Sequence, residues 1–165
     1  MGNSTIFSYQ LKDAWGDSLC KVTVSAGDSK ARVRYKAMNK KRCSKQLNDD
    51  VIHEINAIME EHSEIWTYSE FDLEEATGIL DGVMNFFKFA TLDGKSVRFS
   101  TPNIGEVRNP NAHFSPSFLG CSDAEAFRRN VSPTKAREVV KTFDEISSVL
   151  ARIGVPKECF LLRPE

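Results

Sequence analysis

Cys121 and His113 are the side chains best suited to nucleophilic chemistry in this 165-residue chain. Cys121 precedes Ser122-Asp123-Ala124-Glu125, a capping-box pattern that opens a short helix through Arg129. A thiol at a helix N-terminus has a lowered pKa and so a larger thiolate fraction. His113 would act as its base, with Asp123 or Glu106 orienting the imidazole. That would be covalent chemistry of a hydrolytic or cysteine-based kind. Residue types alone support it. No family signature surrounds Cys121, and no G-x-S-x-G occurs. A Cys and a His near each other in sequence need not meet in space. A packed loop cysteine beside an exposed histidine is the simpler expectation, so no catalytic residue is assigned.

The second candidate chemistry is charge. Between residues 21 and 45 stand nine basic residues: Lys21, Lys30, Arg32, Arg34, Lys36, Lys40, Lys41, Arg42 and Lys45. Asp28 is the one acid among them. From 46 to 87 there is no Lys or Arg, and eleven acids run from Asp49 to Asp81. A +8 block is thus followed by a −11 block. Lys21, Arg32, Arg34 and Lys36, extended by Lys40, Lys41 and Arg42, would make a polyanion strip that holds phosphates without sequence preference. Single-strand binders also place aromatics beside such cations, and the alternation puts Tyr35 on the opposite face from Arg32 and Arg34. Two other readings compete. One is a solvated exterior of a one-sided sheet, its field partly cancelled by the acidic block. The other is a polarised surface that steers a protein partner.

Metal and cofactor chemistry finds little support. Leu-Asp-Gly occurs at 80–82 and again at 92–94, each copy with one carboxylate. A calcium loop needs several oxygens at close spacing. These two carboxylates lie at opposite ends of one strand, about 40 Å apart, and cannot share an ion. Cysteines at 20, 43, 121 and 159 form no C-x-x-C pair and no zinc spacing with His53, His62 or His113. There is no Walker loop, G-x-G-x-x-G or H-E-x-x-H. No metal and no cofactor are expected. His53 points off the apolar stripe of its helix, and His62 sits near that helix's end, where a cation is favoured. Neither shows a partner in the sequence.

The elements that must position these residues read as follows. Thr5 to Lys12 alternates as a strand, with Phe7, Tyr9 and Leu11 on one side, and 13–17 turns the chain. Leu19 to Ala26 and Ala31 to Ala37 form a hairpin. One face would carry Cys20, Val22, Val24, Val33, Tyr35 and Ala37; the other Lys21, Thr23, Ser25, Arg32, Arg34 and Lys36. A helix spans about Asp49 to Glu61, capped by Asn48, with Leu47 stapling against Ile52. Residues 62–78 have no evident backbone, although Trp66, Tyr68 and Phe71 look partly buried.

Met84 to Thr91 and Lys95 to Ser100 make a second hairpin. A type I turn with Gly94 in the left-handed bulge position pairs Phe89 with Val97 and Phe87 with Phe99. Only that register separates apolar from polar residues, and a one-residue slip would undo it. The 101–131 stretch, with three prolines, is long for a connection, and such loops are often functional. A long helix then runs from Pro133, behind Ser132 as its cap, to Gly154. Cys159 to Leu162 reads as a short terminal strand. If an edge is exposed, the first strand is the candidate, and it could pair two copies.

These signals predict a single α+β domain over 1–165. An antiparallel sheet of about five or six strands carries two long helices on one face, in the order β-β-β-α-β-β-loop-α-β. Net charge is −1, and no apolar run approaches membrane-spanning length. The first residues, MGNSTIFSYQ, lack the basic start and apolar run of a signal peptide, and reduced thiols fit a cytoplasmic chain. The functional expectation is a small non-catalytic binding or interaction module. It would recognise a protein partner through its polarised surface or the 101–131 loop. A polyanion or nucleic-acid binder and a Cys121/His113 enzyme are the alternatives. Oligomeric state is open.

Overall fold

A computed structural model describes residues 4–27, 30–67, 83–102, 104 and 133–162. Its strands are β1 (Ser4–Lys12), β2 (Ser18–Ala26), β3 (Ala31–Lys36), β4 (Cys43–Leu47), β5 (Met84–Ala90) and β6 (Ser96–Pro102). Its helices are α1 (Asp49–Glu61) and α2 (Pro133–Arg152), with 3-10 turns at Ser63–Thr67 and Lys157–Cys159. The six strands form one antiparallel sheet in the order β4-β3-β2-β1-β5-β6. The predicted α+β class with two helices holds.

Alternation along the strands sorts the sheet into rows. One row crosses all six strands as Lys45, Val33, Val24, Phe7, Phe89 and Val97. The next row on that face is Cys43, Tyr35, Val22, Tyr9, Phe87 and Phe99. Both helices bury their apolar stripes in the same core. α1 contributes Ile52, Ile55 and Met59, and α2 contributes Val139, Val140, Phe143, Ile146, Val149 and Leu150. The Phe143 ring lies 4.6 Å from Tyr9 and 5.7 Å from Phe87, measured between centroids. Burying such a ring is worth about 2–3 kcal/mol. Asn48 caps α1 as expected, its side chain accepting from the Val51 N–H at 3.1 Å.

The second hairpin takes the register that segregates its faces. Phe87 pairs with Phe99 and Phe89 with Val97. The Thr91 N–H donates to the Lys95 carbonyl at 2.9 Å, and Gly94 has φ +99°. Only glycine adopts that left-handed value without strain.

The structure differs from the sequence expectation at two places and adds an element at two others. The segment 159–162 is not a strand. Cys159 and Phe160 donate to the Pro156 and Lys157 carbonyls, which closes a 3-10 turn. Cys159, Phe160 and Leu162 are buried and Leu161 partly so, but so short a run fixes burial and not backbone. The Leu161 carbonyl meets the hydroxyl of Tyr9, which also donates to Asn85 at 2.9 Å. Second, β4 lies in a stretch read as no element at all. As an edge strand it buries only Leu47, so its alternation is faint. Third, β1 is interior, flanked by β2 and β5, so it offers no free edge; the edge strands among the described residues are β4 and β6. Fourth, residues 63–67, whose backbone the sequence does not disclose, form a 3-10 turn that buries Ile65. Tyr68, Phe71 and the capping residue Ser132 lie outside the described residues.

Candidate basic face of the sheet

The face opposite the core is built by the same alternation. Its central row reads Ser44, Arg34, Thr23, Ser8, Lys88 and Arg98 across the six strands. The neighbouring row reads Lys36, Lys21, Gln10, Phe86 and Ser100. Arg32 stands one row further along, between Ser25 and Gln46. Lys12 continues β1 beyond Gln10, opposite Met84. None of the six strands contains an Asp or Glu. The face therefore carries Lys12, Lys21, Arg32, Arg34, Lys36, Lys88 and Arg98 with no acid among them.

The strip expected on the first hairpin is thus the left half of a wider feature. Lys21, Arg32, Arg34 and Lys36 are all exposed, on the side predicted. Among the described residues none of the seven face cations is in an ion pair. The described acids of the acidic block form no ion pair with them. Asp49, Asp50, Glu54, Glu60 and Glu61 sit on α1, which has no Lys or Arg and packs on the other side of the sheet. Glu64 stands in the 3-10 turn at Ser63–Thr67, and the remainder of that block, from Glu70 to Asp81, lies outside the described residues.

Lys21, Arg34, Lys36 and Arg42 line a cleft of about 420 Å³ with Gln10 and Thr23. Arg42 reaches it from the β3–β4 connection. Lys40 and Lys41 are exposed in that same connection, beside the cleft's lining rather than in it. Lys45, counted in the basic block, is committed elsewhere. Its Nζ donates to the carbonyls of Ile153, at 3.0 Å, and Gly154, at 3.2 Å, at the end of α2. A second cleft of about 610 Å³ opens near the start of β1, lined by Asp49, His53, Lys88 and Lys95 among others. His53 is exposed, off the apolar stripe as expected.

His62 has the partners its sequence position did not show. It is 5% exposed, with Nδ1 3.0 Å from Glu138 and Nε2 3.0 Å from Glu145. Desolvation pulls its pKa down, but hydrogen bonds to both glutamates, with their charges, outweigh it and leave the pKa above the ordinary value. Both ring nitrogens are occupied, so no lone pair is left to act as a base. The seven-residue spacing of Glu138 and Glu145 on one helix face was the readable half of this clamp.

The nucleophile candidates fall elsewhere. Cys121, His113, Asp123 and Glu106 all lie outside the described residues, as does nearly all of 101–131. Among the described thiols, burial pushes Cys20 up to about 11 and Cys159 up to about 12. Neither supplies a thiolate at neutral pH. Among the described residues no cluster of three or more His, Cys, Asp or Glu could hold a metal ion.

Sequence reasoning missed Lys12, Lys88, Arg98 and Phe86 as neighbours of the first hairpin's cations. That juxtaposition follows from β1 lying between β2 and β5, which periodicity does not specify. The absence of acids from every strand was legible in the sequence and was the available signal. No helix among the described residues is long and apolar enough to cross a membrane. No protein-family model matches this chain, and no curated protein matches it.

Proposed function

We propose that this protein is a non-catalytic binding module whose basic sheet face takes an anionic polymer. The observation that carries the reading is that seven cations share one face with no acid and no ion-pair partner among the described residues. Unpaired cations in a rigid two-dimensional array attract polyphosphates and release their counterions on binding. The cleft at Lys21, Arg34, Lys36 and Arg42 supplies the concave part of that surface. A protein with an acidic docking surface is the second reading. It is favoured by the separation of a basic sheet from an acidic α1, which would orient such a partner. Cys20, Cys43 and Cys159 are free thiols, which suits a reducing compartment, and the cytoplasm is the compartment proposed.

Retention on heparin with a salt gradient tests the first reading. The wild-type protein should bind at low salt and elute as salt rises. Each of Arg34→Glu and Arg32→Glu should elute earlier, and both together earlier still. The slope of log K against log salt should fall by about 1 for each cation removed. Retention unaltered by reversing both charges would sink the reading. These side chains are exposed, so the variants should fold normally.

A further inference from the structure

Besides Tyr35 of the core face, which also lines the basic cleft, Trp15 and Phe86 are aromatic side chains beside the basic face. Trp15 is 88% exposed, the most exposed large apolar side chain among the described residues. It stands in the β1–β2 turn, three residues beyond Lys12 and three before Ser18, a residue lining the basic cleft. The turn is built to hold its shape. Asp13 Oδ1 accepts from the Trp15 N–H at 3.0 Å and from the Asp17 N–H at 2.8 Å. Gly16, at φ +86°, closes it with an N–H bond to the Asp13 carbonyl at 3.0 Å. An indole so exposed buries little apolar area in this chain, yet hydrogen bonds hold the turn that carries it.

Phe86 is the second aromatic. It sits within the row Lys36, Lys21, Gln10, Phe86, so cations and ring share one line across the sheet. It is half-buried, with the Lys12 ammonium 5.0 Å from its ring centroid. A flexible lysine at such a site gives up its ring contact for less than a stacked base gains. Between the cations lie Ser8, Gln10 and Thr23, hydroxyls and an amide able to bond sugar and base edges.

We infer that the anionic polymer is a single-stranded nucleic acid, its phosphates on the Lys21, Arg34 and Lys36 side and its bases stacked on Phe86 and Trp15. The inference rests on the polyanion reading above. A duplex hides its base faces in its own stack, and a sulfated polysaccharide has none, so neither uses the aromatics. Sequence-tolerant stacking on aromatics beside a basic groove is the general mode of single-strand binding.

Fluorescence anisotropy with labelled oligo(U) and oligo(dT), against a duplex of equal phosphate number, tests it, with heparin retention measured in parallel. Single strands of at least one sugar type should bind more tightly than the duplex. Binding should quench the exposed Trp15. Trp15→Ala and Phe86→Leu should each weaken single-strand binding about tenfold and leave heparin retention as it was. Phe86→Leu keeps an apolar side chain at a half-buried position, and Trp15 is 88% exposed, so neither change should unfold the chain. If heparin is retained but the duplex binds as well as the single strands, or both variants bind oligonucleotide like wild type, the inference fails and the polyanion reading stands. If neither heparin nor oligonucleotide binds, both fall.

Discussion

His62 Nδ1 lies 3.0 Å from Oε2 of Glu138, and this contact joins the end of α1 to α2. Glu145 takes the other ring nitrogen at the same distance. A doubly bonded, buried imidazole between two carboxylates is stabilised in its charged form. Its pKa is therefore raised from 6.5. A raised folded-state value means that the stability it contributes is fully present below the unfolded value. That stability is lost as pH rises through the folded one. The His62→Gln variant should be less stable than wild type by about 1–3 kcal/mol at about pH 6. The gap should narrow as the pH is taken to about 9. Urea midpoints at the two pH values measure it. An unchanged gap would mean that the ring is neutral in the fold and the clamp is not charge-assisted.

How far the sequence disclosed this fold depends on which interactions define each element. The second hairpin was legible to the register. Its choice rested on the side-chain period of two and on one left-handed glycine, both local facts. α1 and α2 were legible for the same reason, through the Asn48 cap, the left-handed Gly154 and a 3.6-residue stripe. β4 was not, because an edge strand with one buried side chain carries almost no period. Nor was the terminal turn at Lys157–Cys159, where a short apolar run is equally compatible with strand and turn.

The candidate site divides the same way. Arg32, Arg34, Lys36 and Lys21 were readable as one face, because a single hairpin holds them. Their union with Lys88 and Arg98 depends on strand order, which is decided by long-range pairing around Tyr9 and Phe87. The clamp on His62 needed the packing of α1 against α2, and no local signal reports that.

Lys45 and Gly154 are coupled across the molecule. Gly154 has φ +88°, and a Cβ built there would stand 2.6 Å from Lys45 Nζ. The ammonium sits so close because it donates to the carbonyls of Ile153 and Gly154 just beyond α2, where the helix dipole favours a cation. Lys45→Met should cost about 1–2 kcal/mol by leaving those carbonyls without a charged donor. Gly154→Ala should cost about 1–2 kcal/mol from the left-handed backbone alone, and more because the methyl displaces the ammonium. The displacement is a shared loss. The double variant should therefore be less destabilised than the sum of the two single ones, by an amount a double-mutant cycle resolves. Additive costs in thermal or urea unfolding would show that the lysine does not hold the helix end.

The thiols should separate by reactivity. Cys43 is exposed at the sheet edge, whereas Cys20 and Cys159 are buried. For Cys20, burial raises the pKa to about 11 despite opposing hydrogen bonds with the backbone of Leu161 and Leu11. For Cys159, burial and then the neighbouring Cys20 raise it to about 12. Alkylation of the folded protein near neutral pH, mapped by mass spectrometry, should label Cys43 and spare Cys20 and Cys159. The last two should react only at the rate of unfolding, so destabilising variants such as Gly154→Ala should accelerate them. Labelling of Cys20 as fast as Cys43 would contradict the packing of β2 against the C-terminal turn. The same experiment judges the enzyme reading. A nucleophile activated by a helix N-terminus and a histidine must outpace an ordinary exposed thiol. If Cys121 is labelled no faster than Cys43, a catalytic role for Cys121 and His113 is excluded, and binding through the basic face remains.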